Sequence, residues 1–257
     1  MDAFFIDFSL SLNQTQVVIA LMAFLLGGFS KGLIGFGMPL VVMSILSSAI
    51  PVEAALALNA VVQLVLNIGQ TGGAAGAKES AKSFFPVLVG IVLGCLIGAF
   101  VVVAVERDLL VGFVGIVTLS FCLLSLSRAA YSIPESFRPA AGYLAGGASG
   151  LVGSMTGANG PPLIMYLAAT RVGPQDFKRV LGLLFLVSGI SLFLVFSSVG
   201  FMTTERLIFG IVCLVPAAAG MWLGNHLTRK VNPELFRKSV LIVLTIIAVN
   251  LIRRGFF

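Results

Sequence analysis

The sequence predicts an all-α polytopic membrane protein. It has two inverted repeats of about five helical segments each, and the first two segments of each repeat are short and broken at Gly/Pro-rich junctions. Three observations predict this. The chain is too apolar for water to cover it, its second half repeats the order of its first, and its basic residues gather at alternate segment ends.

Of the 257 residues, 58% are hydrophobic and 10% are charged. Soluble domains carry about 25% charged residues, so most of the outer surface must face lipid. Phe84 to Val105 holds no charge at all, and Leu207 to His226 is similar. A spanning helix needs about 20 apolar residues. Lipid offers no partner to a free N–H or C=O, which leaves helices and closed barrels. Barrel strands alternate polar and apolar residues, which these runs do not.

The repeat follows. Gly27-Gly28-Phe29-Ser30-Lys31-Gly32-Leu33-Ile34-Gly35 is echoed by Gly146-Gly147-Ala148-Ser149-Gly150-Leu151-Val152-Gly153. An offset of 123 then places Pro39-Leu40 on Pro162-Leu163, Pro51 on Pro174 and Glu53 on Asp176. An offset of 126 places Gly94 and Gly98 on Gly220 and Gly224, Asp108-Leu109 on Glu234-Leu235, and Arg128 on Arg254.

The segments are expected at 16–31, 37–50, 52–71, 83–105 and 108–128 in the first half. In the second they are expected at 140–153, 160–170, 175–198, 205–227 and 234–253. Segments of about 11 to 16 residues, at 1.5 Å per residue, span about two-thirds of a bilayer core of roughly 30 Å. The first two of each half therefore read as a broken pair meeting inside the membrane. Residues 1–15 form an extracytoplasmic N-terminal segment, 16–128 the first repeat, 129–139 a cytoplasmic linker and 140–257 the second repeat.

An odd number of segments per half turns the second half upside down. With the N-terminus outside, the inner ends hold Lys78, Lys82, Arg128, Arg138, Arg171, Lys178, Arg179, Arg229, Lys230, Arg237 and Lys238. The outer ends hold Arg107, Arg206, Arg253 and Arg254. That asymmetry follows the positive-inside rule and predicts a multi-pass protein of the cytoplasmic (inner) membrane with both termini extracytoplasmic. Arg253 and Arg254 oppose the last crossing, so a final helix that stops short is the alternative. The first 16 residues lack the basic n-region of a cleavable signal peptide.

Short Gly/Pro-interrupted helices in matching positions of two repeats point to a transport site. Glycine allows backbone to approach a ligand, and Pro39 and Pro161-Pro162 suit the first turn of a following helix. A helix N-terminus aimed inward favours an anion. Lys31, the one basic residue deep in an apolar segment, agrees in sign, though a lysine near a helix end can also snorkel to the headgroups. The candidate substrate-binding residues are Ser30, Lys31, Gly32, Gly35, Gly37, Ser154, Thr156, Gly157, Asn159 and Gly160, with Ser149 nearby. Asn59, Gln63, Asn67 and Gln70 share one face of the third segment. With Tyr166 they would line a polar path, or they hold helices together. Arg171 and Arg179 are either cytoplasmic anchors or an attraction for anions at the inner mouth.

Other features read structurally. Gly94-x-x-x-Gly98 and Gly220-x-x-x-Gly224 are spaced for close helix packing. Cys95, Cys122 and Cys213 sit in apolar runs without ligand spacing, and His226 lies at a helix end. No metal or cofactor is expected, no phosphate loop closes after Gly27–Gly37, and no nucleophile–base set suggests an enzyme. The expected partners are a small anion and membrane lipid, with no nucleic acid; a homodimer is left open.

At the two junctions the sequence resembles the sulfite exporter TauE/SafE family. The first stretch is Gly28-Phe29-Ser30-Lys31-Gly32-Leu33-Ile34-Gly35-Phe36-Gly37-Met38-Pro39. The second runs from Gly150-Leu151-Val152-Gly153-Ser154-Met155-Thr156-Gly157 through Ala158-Asn159-Gly160-Pro161-Pro162 to Leu163-Ile164-Met165-Tyr166. The resemblance implies a membrane permease for sulfur-containing anions such as sulfite or organosulfonates, often an exporter. An anion channel and a non-transporting membrane accessory subunit are the alternatives.

Overall fold

The computed structural model describes residues 12–71, 78, 80–126, 132–227 and 233–257. In chain order the helices are α1 (Gln14–Ile34), α2 (Met38–Ala49), α3 (Val52–Ile68), α4 (Phe85–Ala104) and α5 (Arg107–Leu126) in the first half. The second half holds α6 (Arg138–Thr156), α7 (Gly160–Ala169), α8 (Pro174–Ser198), α9 (Thr204–Leu227) and α10 (Pro233–Phe256). A 3₁₀ turn, Glu135–Phe137, precedes α6, and no strand occurs among the described residues. Five of these helices are long and apolar enough to cross a membrane: α1, α4, α5, α8 and α9. Residues 1–11 of the expected N-terminal segment, Arg128, linker residues 129–131, Arg229 and Lys230 lie outside the described residues.

The helix ends follow local chemistry. Asn13 caps α1 in a capping box, accepting from the Gln16 N–H at 2.9 Å while the Gln16 side chain accepts from the Asn13 N–H at 3.0 Å. Gly35 ends α1 in the left-handed region at φ 86°, its N–H bonded to Lys31 O at 2.8 Å. Gly157 does the same for α6 at φ 68°, bonded to Gly153 O at 2.8 Å. These are the positions at which an L side chain would be strained, and glycine closes the helix without that cost. Pro39, Pro86 and Pro161 each sit within the first turn of the following helix.

The first segment of each half was expected to be short, yet α1 has 21 residues and α6 has 19. Of the first two helices in each half, only α2, with 12 residues, and α7, with 10, are too short to cross. The glycine runs do not break the helix, because they face a neighbouring backbone. A Cβ on Gly28 would collide with the Ala217 carbonyl, and one on Gly32 with Met221 and Gly224. On the other side, Gly146 and Gly150 are pressed against the α4 backbone at Val87 and Ile91. The glycines thus bring helices together, and the break waits for the left-handed residue.

The packing is two-fold in pattern. α1 lies along α9, and α6 lies along α4. α3 packs on α8, α5 on α10, α3 on α9 and α4 on α8. Exchanging first-half helices for their second-half counterparts leaves these pairings unchanged. Gly94 meets Gly147, and Gly220 meets the Leu25–Phe29 backbone, so the two glycine pairs do serve close packing.

α1 with α2, and α6 with α7, form hairpins whose ends meet. The Gln16 amide donates to Ala49 O at 2.8 Å, joining the start of α1 to the end of α2. The Tyr166 hydroxyl donates to Arg138 O at 3.1 Å, and Ile133 N–H to Ala169 O at 3.0 Å, joining the end of α7 to the entry into α6. The bends of both hairpins are buried inside the bundle. α10 runs to Phe256, and Arg254 donates to Ser48 O at 2.9 Å. The arginine that seemed to oppose the last crossing therefore supplies a cation to the carbonyl end of α2.

Candidate functional site

α3 passes between the two hairpin bends, and its polar face bonds both. Asn59 Nδ2 donates to Gly157 O at 3.0 Å, and Gln63 Nε2 to Asn159 Oδ1 at 3.0 Å. Lys31 Nζ donates to Asn67 Oδ1. Gln70 Nε2 donates to Gly35 O at 3.1 Å and to Lys178 O at 3.3 Å. Asn59, Gln63 and Asn67 follow one face of α3 at steps of four, whereas Gln70, expected on the same face, lies in the turn past the helix end; two of the four amides bind the second bend and two bind the first hairpin. Gln63 and Asn67 are one helical turn apart. Lys31 and Asn159, from opposite halves, are thereby held at neighbouring levels of one helix.

The second bend is further tied. Asn159 Nδ2 donates to Ser188 Oγ of α8, and Ser149 Oγ donates to Asn159 O at 2.7 Å. Thr156 Oγ1 accepts from the Ala158 N–H at 3.2 Å. Ser154 Oγ donates to Gly150 O at 3.0 Å, within its own helix. Lys31, Asn59, Gln63, Asn67, Ser149 and Asn159 are all buried. Among the described residues Lys31 makes no ion pair. A few polar atoms of this network are left without a partner: Ser30 Oγ, Asn59 Oδ1, Gln63 Oε1 and Asn67 Nδ2. Buried polar atoms left unpaired in a low-dielectric interior are costly, and several together mark a place that can receive a ligand.

Beside the network lies a cavity of about 1010 Å³. Ser30, Gly37, Tyr166 and Arg171 border it among the expected site residues. Lys31, Gly32, Gly35, Ser154, Thr156, Gly157, Asn159 and Gly160 do not, and neither do Asn59, Gln63, Asn67 or Arg179. Lys31 turns to α3 while Ser30, the preceding residue, turns to the cavity. Arg179 bonds Asp176 of its own helix at 2.9 Å. Most of the wall is apolar, with Leu40, Val117, Phe121, Ile164 and Leu244 from α2, α5, α7 and α10. Sequence reasoning missed these residues and Ser188. In an apolar segment a residue facing a cavity has the same signature as one facing lipid.

The two bends differ as anion sites. Pro161 and Pro162 leave Gly160 as the only N–H donor in the first three positions of α7. α2 keeps two, Met38 and Leu40, without intrahelical acceptors, and its N-cap Gly37 has no side chain to occupy them. The α2 end is therefore the stronger donor, and it opens on the cavity through Gly37 and Leu40. His226 Nδ1 lies 3.1 Å from Trp222 O, with its ring against Trp222 near the end of α9. Cys95, Cys122 and Cys213 are free and buried. Among the described residues no cluster of three His, Cys, Asp or Glu could hold a metal ion.

Comparison with known proteins gives one match. The family model described as sulfite exporter TauE/SafE matches residues 19–251, from within α1 to near the end of α10. None of the curated proteins and none of the solved structures matches the chain. The chain belongs to the sulfite exporter TauE/SafE family.

Proposed function

We propose that this member of the TauE/SafE family is a secondary transporter of a sulfur-containing anion, such as sulfite or an organosulfonate. It exports by alternating access between two inverted repeats in the cytoplasmic membrane. The observation that carries the reading is the family match over residues 19–251, which takes in both hairpins, α3 and α8. The physical features agree with it. Two short helices start inside the bundle, one bend offers N–H groups without intrahelical acceptors, and Lys31, the one buried basic residue among those described, bonds α3 one turn from the contact with the other bend.

The two-fold pattern of contacts supplies a reason for alternating access. Two halves with matching interfaces can exchange conformations at little net cost, because what one half gains the other gives up. The ends are closed unequally. At one end Gln16 bonds Ala49, Arg254 bonds Ser48, and Arg107 pairs with Glu53 across α5 and α3. At the other end Tyr166 bonds Arg138 O and Ile133 bonds Ala169 O, but the cavity still reaches Ile133 and Arg171, and Asp176 pairs within its own helix. If the second end faces the cytoplasm, as the loop charges favour, this conformation is open inward and closed outward by the Arg254 and Arg107 contacts.

The test is flux through proteoliposomes loaded with sulfite or an organosulfonate, with counterflow measured against an opposing gradient. Folded protein that passes none of a panel of sulfur oxyanions above empty vesicles would sink the substrate class. Flux without counterflow identifies a channel instead. Lys31→Ala is expected to lower transport at least tenfold, and unchanged flux would remove Lys31 from the machinery.

A further inference from the structure

We propose that the cavity walled by α5, α6 and α7 is a lipid site, which takes one acyl chain of an anionic phospholipid whose phosphate lies on Arg171. This ligand is distinct from the transported anion, and its site does not depend on what is carried. The cavity opens sideways. Leu124 of α5 and Leu144 of α6 both border it, and they are 39% and 75% exposed. Met165 of α7, on the same wall, is exposed as well. In a membrane these side chains face hydrocarbon, so acyl chains stand at the opening. The slit exists because α5 packs along α10 and touches α6 much less.

The depth of the cavity matches one leaflet. Along α6 its wall runs from Ala141 to Val152, which at 1.5 Å per residue is about 16 Å. Half of a hydrocarbon core of about 30 Å is roughly 15 Å. The lining is apolar except for Ser30, Ser120, Tyr166 and Arg171, and the Tyr166 hydroxyl is already bonded to Arg138 O. A chain entering by the slit lies along α6 and points towards the buried bend at Gly157.

The charge on the wall stands at the end where a head group would be. Arg171 follows the end of α7, which is tied to the entry into α6 by the Ile133–Ala169 bond. It is exposed and makes no ion pair among the described residues, whereas Arg138 pairs with Glu135 and Arg179 with Asp176. Its backbone is left-handed at φ 56°, a conformation that glycine would adopt without strain. The side chain is therefore kept at a conformational cost, and a phosphate gives it a function. Guanidinium and phosphate make paired, charge-assisted bonds, and basic pockets between membrane helices hold anionic head groups.

The test is quenching of a single tryptophan by phospholipids brominated on their acyl chains. The reporter is Phe121→Trp on the α5 wall, made together with Trp222→Phe so that no other tryptophan is present. The full-length protein is reconstituted in phosphatidylcholine with rising fractions of brominated phosphatidylglycerol or brominated phosphatidylcholine. Half-quenching is expected at about fivefold less of the anionic lipid, the factor for one basic residue at a lipid surface. In the unaltered protein Trp222, exposed on α9 and not bordering the cavity, should show no such preference. Arg171→Gly, which suits the left-handed backbone, should keep the fold and abolish the preference. Ile164→Trp on the α7 wall is the second reporter if Phe121→Trp does not fold. A cavity reporter quenched by neither lipid, with Trp222 quenched by both, would show that no chain enters and would overturn the proposal. Equal quenching by the two lipids, or a preference that survives Arg171→Gly, would overturn the placing of the phosphate on Arg171.

Discussion

Gly146 and Gly147 are neighbours on α6, yet they meet different surroundings. A Cβ on Gly147 finds one atom within 4 Å, the Gly90 carbonyl at 3.9 Å, which is ordinary contact. A Cβ on Gly146 would overlap the Val87 carbonyl and lie 2.9 Å from the Ile91 nitrogen, both backbone. Replacing either glycine by alanine removes the same excess chain freedom and gives a similar helix gain of about 0.5–1 kcal/mol. That gain cancels in the comparison. What remains is the cost of forcing α6 from α4 at Gly146, about 1–3 kcal/mol. For a chain of this size each kcal/mol shifts the melting temperature by about 2–4 °C, so Gly146→Ala should melt roughly 2–12 °C below Gly147→Ala. Thermal unfolding in one detergent, followed through the single tryptophan Trp222, reads the difference. Two variants melting within a degree of each other would show that the α4–α6 interface is not held at backbone contact.

Three further outcomes follow from the same geometry. Asn159→Ala removes one bond to Gln63 and one to Ser188; at about 0.6 kcal/mol per interhelical bond in a membrane, with an upper value near 1.7, it should destabilise by roughly 1–3 kcal/mol and also depress flux, and full stability with full flux would remove it from both roles. Gly35→Ala forces a Cβ residue to φ 86°, and should cost about 1–2 kcal/mol in a detergent melt, whereas an unaffected melting temperature would mean that the bend relaxes. Glu53→Gln breaks a pair whose arginine is 80% exposed; stability should change by less than about 1 kcal/mol, but a cysteine placed at Ser44 should become more reactive to reagent added from the Arg107 end, and unaltered reactivity would show that the pair latches nothing.

The frame was legible because lipid restricts the choices. Apolar runs had to be helices, and prolines and charges marked their ends to within a few residues, as at Pro51, Pro86 and Arg107. The length of α1 is not legible in the sequence because glycine has two meanings. Gly27, Gly28 and Gly32 look like a break in sequence, but a helix tolerates glycine wherever another backbone comes close, and only the sign of φ distinguishes Gly35 from them. The polar face of α3 was visible as a spacing, while its partners were not, since they come from residues about 30 to 100 positions away. The cavity wall was invisible for the opposite reason. Ile164 and Val117 carry no feature that separates them from lipid-facing residues on the same helices.

The two halves share a packing plan but not a polarity. α3 carries Asn59, Gln63 and Asn67 on one face, with Gln70 in the turn just past its end, while its counterpart α8 offers Ser188 to the same network. Counted back from the left-handed glycines Gly35 and Gly157, Lys31 corresponds to Gly153, where a Cβ would lie 2.9 Å from that of Asn159. A symmetric frame with a symmetric polar core would hold its ligand equally in both orientations and would favour neither release. Here every polar bond between the hairpin bends and the third helices runs through α3, apart from the Asn159–Ser188 link. α3 is thus the reference against which both bends are positioned, and movement of either hairpin must break amide bonds on its face. Of the unpaired atoms of this network, Ser30 Oγ and Asn67 Nδ2 can donate, whereas Asn59 Oδ1 and Gln63 Oε1 only accept. An anion could be bonded by the two donors and not by the two carbonyl oxygens, which need a donor of their own.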